Sequence, residues 1–356
     1  MRAGVLIYSA REQTELFVGV GTARPPLRKT NGDGPPPPRP MAWRKAQIVA
    51  APSIALVFAL LTTHGFSPAH AQVKPPGSSK LAFTASGTNE FAFDTGVLKG
   101  KLRADGKSRG LSSVVHQPTG MTLDSSVGLF GHYRVFTANK RYGSAAWDWP
   151  SEARLRPDGS VEVHWPSAED RPFELRAVYR WAAPDTLDLE TSVQAKTNLV
   201  KFESFLASYF AAGFTNASVY ARSNSQQWLE PADKSFGVWQ AFARDDQAVS
   251  IIQDGRWTFL PSPVDWVIRP HLARPLGIRR CPSNDLQAVV MSHSQDCFAV
   301  LTPFSAEPHR SMYLSLFGKD LKAGESARAR ARLVIGTNLE VEAIDRLYAD
   351  YLRQRR

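Results

Sequence analysis

From Leu81 onward, apolar and polar residues alternate in short runs broken by Gly, Pro, Asn and Asp, the signature of half-buried β-strands. In "FELRAVYRWAAPDTLDLETSVQA", Phe173, Leu175, Ala177, Tyr179 and Trp181 alternate with Glu174, Arg176, Val178 and Arg180. Beyond Ala183-Pro184-Asp185, Leu187, Leu189 and Val193 alternate with Asp188, Glu190 and Gln194. This predicts a long hairpin with one buried and one wet face. "FAFDTGVLKGKLRADG" alternates at Phe91, Phe93 and Thr95, resumes at Leu98 and reaches a turn at Asp105-Gly106, while "SVEVHW" (160–165) follows the turn signal Pro157-Asp158-Gly159. Further strands are expected at 247–253, 286–291, 297–302, 311–317 and 327–335, the second and third joined as a hairpin around "SHSQ".

Helical spacing appears only at the end. Thr337-Asn338-Leu339-Glu340 reads as a capping box, and Ile344, Leu347, Tyr348, Tyr351 and Leu352 form an apolar stripe. The expected fold is all-β: a large antiparallel β-sandwich over residues 81–336, with a C-terminal α-helix over 337–356 and a shallow trough on one sheet face.

The N-terminal part has a different texture. Residues 1–40 are rich in Pro and charge and read as disordered; residues 41–71 read as a signal peptide. Arg44 and Lys45 form its positive end, Ile48 to Leu61 its apolar run, and Ala69-His70-Ala71 a small-x-small cleavage pattern before Gln72. An apolar run of this length falls short of the roughly 20 residues that span a bilayer. Because this pattern begins at Met41, residues 1–40 are expected to be an upstream extension mis-assigned to the protein, and 72–80 a short linker. The mature protein is expected to be exported, periplasmic or secreted, without a stable membrane anchor.

The leader also changes the charge. The whole chain carries 43 Lys and Arg against 33 Asp and Glu. Residues 1–71 hold eight and three of these, leaving 35 basic against 30 acidic residues. Nucleic acid therefore loses its electrostatic argument. Export would permit a disulfide between Cys281 and Cys297. The expected hairpin places Cys297 near Val290 and leaves Cys281 past its far end, so a bridge would need the chain to fold back, and both states stay open. No zinc spacing, Gly-x-Ser-x-Gly elbow, phosphate loop, dinucleotide glycine pattern or calcium loop occurs, and no cofactor is expected. Asn216-Ala217-Ser218 is a glycosylation sequon by pattern.

The meander built on "RAVYRWAAPDTLDLETSVQA", the run "FESFLASYF" (202–210) and the succession "DCFAVLTPFSAEPHRSMYLSLFGKDLKAGESARARARLVIG" together resemble the galactose mutarotase-like supersandwich. That superfamily contains carbohydrate-active and carbohydrate-binding proteins, lyases and hydrolase domains among them. The resemblance implies a β-supersandwich and a sugar partner. Its mutarotases use a histidine acid and a glutamate base in local motifs that this sequence does not match, so no catalytic residue carries over.

Candidate chemistry is read from the residues themselves. "GHYRVFTANKRYGSAAWDW" (131–149) suits a sugar, which presents apolar faces edged with hydroxyls. Trp147 and Trp149 would stack, with Asp148 on the opposite face of an extended run. Arg134 and Arg141 would donate forked hydrogen bonds to hydroxyls or a uronate carboxylate, and His132 would act as acid or base. In "RDDQAVSIIQDGRW", Asp254 and Arg256 are candidate ligand contacts. In "SAEPHRS", Glu307 and His309 lie two residues apart in a loop and would act as base and acid. His271, Arg274, Arg279 and Arg280 fall in a Pro-rich stretch that reads as a loop. The expected function is binding or processing of a carbohydrate, acidic ones included, by acid–base chemistry of epimerase or lyase type if catalytic. The alternative is a non-catalytic glycan-binding or structural protein of the cell envelope. Oligomeric state is not legible.

Overall fold

The computed structural model describes residues 81–104 and 108–354. The expected signal peptide, upstream extension, linker and turn at Asp105-Gly106 lie outside the described residues. Strands are numbered in chain order. A five-stranded meander comes first: β1 (Thr84–Gly87), β2 (Glu90–Asp94), β3 (Leu98–Ala104), β4 (Ser108–His116) and β5 (Met121–Thr122). A seven-stranded sheet runs edge to edge as β16 (Val267–Ile268), β15 (Trp239–Ala243), β19 (Cys297–Pro303), β20 (Ser311–Leu321), β12 (Leu199–Tyr209), β6 (Gly131–Thr137) and β7 (Lys140–Arg141). A nine-stranded sheet begins with β14 (Gln227–Pro231), β13 (Asn216–Arg222), β17 (Leu272–Cys281), β18 (Leu286–Ser292) and β21 (Ser326–Thr337). It continues through β11 (Thr186–Ala195), β10 (Phe173–Ala183), β9 (Val161–Trp165) and β8 (Glu152–Leu155). Among the described residues, only β15 and β16 pair in parallel.

The two larger sheets pack face to face. Phe173, Leu175, Ala177 and Tyr179 of β10, with Leu187, Leu189 and Val193 of β11, join Phe202 and Leu206 of β12 and Leu314 and Leu316 of β20 in one buried cluster. This is the buried face that the alternation of β10 and β11 predicts. The seven-stranded sheet has a second buried face. Phe136, Phe205, Ala207, Tyr209, Ala241, Leu301 and Tyr313 point away from the sandwich and lie under residues of the 246–266 segment, including Ile251, Ile252, Trp257 and Trp266. Buried on both faces, β19 and the middle of β12 lack a polar alternation.

Four local expectations are overturned. Residues 247–253 do not form a strand: α1 (Asp246–Ile252) is a helix, capped by the Asp245 side chain, which accepts from Ala248 N at 2.8 Å. Ala248, Ile251 and Ile252, at helical spacing, form its buried side. There is also no hairpin around "SHSQ". β18 pairs with β17 and β21, while β19 lies in the other sheet between β15 and β20, so this connection crosses the sandwich. Cys281 therefore sits opposite Leu286 in one sheet while Cys297 opens a strand of the other, and both are free and buried. The capping box also fails, because Thr337 is still in β21. The C-terminal helix α2 (Val341–Arg353) starts after Glu340, whose side chain makes no cap bond. Ile344, Tyr348 and Tyr351 of α2 pack on the outer face of the nine-stranded sheet, and Leu352 stays exposed. The Pro-rich stretch containing Arg274, Arg279 and Arg280 is strand β17, not a loop.

Candidate functional site

A β-bulge organises the site. Along β6 and β12, Phe136 pairs with Glu203, Val135 with Ser204, His132 with Leu206 and Gly131 with Ala207. Tyr133 and Arg134 together therefore oppose the single residue Phe205. An extra residue of this kind re-aims the side chains around it. Tyr133, Arg134 and Phe136 turn outward, away from the sandwich, while His132 and Val135 turn into it. Simple alternation would have placed Tyr133 and Val135 on one face.

His132 is thereby removed from any ligand. It is wholly buried between the two large sheets, with Nδ1 2.9 Å from Ser204 Oγ, Nε2 3.1 Å from Thr191 Oγ1 and its ring edge-on to Trp165. Burial pulls its pKa down to about 3, so it is a neutral core histidine and not an acid or base for a substrate.

On the outer face, Tyr133, Phe205, Tyr209, Trp239, Trp257, Trp266 and Tyr313 surround a cleft of about 320 Å³, completed by Arg134, Ser262, Pro263, Val264 and His309. The rings come from β6, β12, β15, β20 and the 254–266 segment. Trp147 supports them from behind, stacked on Tyr133 at 4.3 Å. The Tyr313 hydroxyl donates to that of Tyr209 at 3.3 Å, and burial raises the pKa of both, to about 12 for Tyr313. Both are neutral donors at physiological pH.

His309 stands at the rim, its ring 5.4 Å from that of Trp239. Glu307 holds it from two sides. His309 N donates to Oε2 at 2.7 Å, and Nδ1 lies 2.7 Å from Oε1. With Nδ1–H donating to the carboxylate, Nε2 keeps the lone pair and becomes the working nitrogen. Glu307 is thus a positioning residue for His309; the sequence-level pairing of a base and an acid becomes one ring and its orienting carboxylate.

The other expected contacts divide. Arg134 lines the cleft; its Nη2 donates to Ser262 O at 2.8 Å, and its guanidinium lies between the rings of Tyr133 and Trp257 at 5.0 and 5.2 Å. Arg141 lies beside it, donating through Nη1 to Phe259 O at 3.2 Å and to Pro261 O, and through Nη2 to Ser144 O at 2.6 Å. Trp147 and Trp149 do not share a face, because Ala146–Asp148 forms a 3-10 turn instead of an extended run. Trp149 enters the sandwich core with the Arg171 guanidinium over its ring at 4.3 Å, and Asp148 is exposed outside the cleft. Asp254 and Arg256 are not ligand contacts. Arg256 is wholly buried, gripping Asp254 through two bonds of 3.0 and 2.9 Å and Glu203 through one of 2.8 Å. Burial works against its charge, but the Glu203 and Asp254 carboxylates outweigh this and hold its pKa above the ordinary value. The group ties the start of the 254–266 segment to β12. Tyr133, Phe205, Tyr209, Trp239, Trp257, Trp266 and Tyr313 were missed as site residues. Their signal was apolar side chains on both faces of "FESFLASYF" and "SMYLSLF", which implies a second covering layer.

No family model matches the chain, and no curated protein matches it. Among solved structures it is similar to an aldose 1-epimerase candidate from Escherichia coli K12, at 12% identity and TM-score 0.43, over 70% of this chain and 100% of that one. An aldose 1-epimerase candidate from Klebsiella pneumoniae matches at 10% identity and TM-score 0.39, over 76% and 87% of the two chains. An α-N-acetylgalactosaminidase from Bifidobacterium bifidum matches at 10% identity and TM-score 0.43, over 76% of this chain and 39% of that one.

Proposed function

We propose that the ring-lined cleft binds a carbohydrate and that His309 performs acid–base chemistry on it, in a protein exported by the leader at residues 41–71. One observation carries this reading: a histidine fixed by a carboxylate through Nδ1 stands at the rim of a sugar-sized cleft walled by seven aromatic rings. The flat rings match the apolar faces of a pyranose, while the tyrosine hydroxyls and Arg134 meet its edges. His309 Nε2 is the base that takes a proton from the sugar, and as imidazolium returns it, so no external reactant is required.

The test combines a panel of mono- and oligosaccharides followed by tryptophan fluorescence with anomeric exchange by NMR and the ultraviolet absorbance of an unsaturated elimination product. His309→Asn is expected to keep binding within about threefold and to lose turnover about 10²-fold or more. Turnover unchanged in His309→Asn would remove the catalytic role, and a panel in which no saccharide binds would remove the reading altogether.

A further inference from the structure

The electrostatics of the cleft are one-sided. Arg134 is 4% exposed, yet Nε and Nη1 of its guanidinium are screened from solvent and find no hydrogen-bond partner among the described residues. Nε of Arg141 is in the same condition. Every other contact the two guanidinium groups make with a neighbouring group is to a neutral one: the carbonyls of Ser144, Phe259, Pro261 and Ser262, the Tyr133 hydroxyl and two aromatic rings. Among the described residues neither forms an ion pair. Burial, then the nearby charge of Arg134, lowers the pKa of Arg141. The buried Arg256, Arg269 and Arg332 are paired with carboxylates, whereas Arg171 and Arg279 are held, like Arg134, by neutral acceptors; Arg134 differs from these two in lining the cleft with a second guanidinium beside it. Two adjacent cations without a counter-ion, one of them with two unused donor nitrogens, form an arrangement that burial alone makes costly.

We infer that the ligand of this cleft is an anionic sugar, and that its carboxylate binds Arg134 through Nε and Nη2, in place of Ser262 O, with Arg141 adding a second positive charge. The inference rests on the carbohydrate reading above and narrows it to uronic acids. A planar carboxylate meets a guanidinium edge with two parallel N–H···O bonds. The rings of Tyr133 and Trp257 fix the guanidinium plane. Binding displaces Ser262 O from Nη2 of Arg134 and replaces a neutral carbonyl acceptor with a charged one.

The experiment is calorimetric titration of the protein with D-glucuronate, D-galacturonate and short uronate oligomers. D-Glucose, D-galactose and their 6-sulfates are run in parallel. Uronates are expected to bind about 10- to 100-fold more tightly than their neutral counterparts, as charge-assisted bonds imply. Arg134→Gln should abolish that preference, uronate affinity falling to that of the neutral sugars measured with the same variant. The wild-type comparison stands without the variant, so the inference is exposed even if Arg134→Gln fails to fold. Neutral sugars binding as tightly as uronates, or a uronate preference that survives Arg134→Gln, would overturn it while leaving the carbohydrate reading in place. Tighter binding of the 6-sulfates would overturn the carboxylate assignment. If nothing in the panel binds, the carbohydrate reading itself falls.

Discussion

His132 and His309 show how environment decides what an imidazole does. His309 stands at the rim of the cleft with one nitrogen tied to Glu307, whereas His132 is sealed between Ser204 and Thr191 at the centre of the sandwich. Sealing has a consequence for stability. Between the ordinary histidine pKa near 6.5 and the buried value of about 3, unfolded His132 binds a proton and folded His132 does not. The unfolded state is therefore favoured as pH falls through this window, and the protein loses on the order of 3 kcal/mol between pH 7 and pH 4 through this one group. His132→Gln can keep partners for Ser204 and Thr191 without titrating. It is expected to be less stable than wild type at pH 7 but to show a shallower decline toward pH 4 in urea-unfolding midpoints. Parallel declines in the two proteins would rule out His132 as the acid-sensitive group.

At the scale of elements, the site depends on two departures from regularity. The bulge at Tyr133-Arg134 turns two consecutive side chains to one face, and the 246–266 segment covers a sheet face that would otherwise be wet. The regular part was legible: Phe173 to Trp181 and Leu187 to Val193 alternate and form the hairpin they predict. "GHYRVFTANKRYGSAAWDW" was legible as unusual, and Arg134 does line the cleft. Its bulge was not readable, because nothing in the local sequence marks which partner strand gains or loses a residue. The helix α1 was misread because "QAVSIIQ" has apolar residues at both strand and helix spacings; the Asp245 cap, which decides between them, looks like any loop aspartate in sequence. Asp245→Ala should accordingly cost about 1 kcal/mol of stability. It should also speed amide exchange through 246–252 more than in β12 or β20, as hydrogen-exchange mass spectrometry would show. Uniform acceleration across the molecule would mean that the cap serves global stability and not this covering segment.

The whole molecule is held in register by a residue that links both sheets to the site. Arg279 projects from β17 of the nine-stranded sheet, fully buried. It donates to Thr302 Oγ1 at 2.8 Å, Ser305 O at 2.9 Å and Ser311 O at 2.9 Å, all at the end of the seven-stranded sheet or in the loop leaving it. Burial lowers its pKa to about 9, which leaves it charged at neutral pH. Those acceptors bracket residues 305–311, the loop that presents Glu307 and His309, so the inter-sheet contact and the geometry of the proposed base share one anchor. Arg279→Met nearly preserves volume but leaves two carbonyls and a hydroxyl without this donor inside the protein. A loss of about 3–5 kcal/mol is expected from removing one partner of such a network. Arg279→Lys keeps the charge but not the fork, and should fall between wild type and Arg279→Met. If the anchor also sets the site, both variants will shift the His309 ring resonances and weaken sugar binding under conditions where circular dichroism shows them fully folded. A destabilised Arg279→Met with unchanged His309 resonances would confine Arg279 to holding the sheets together and leave the 305–311 loop to be positioned by Glu307 alone.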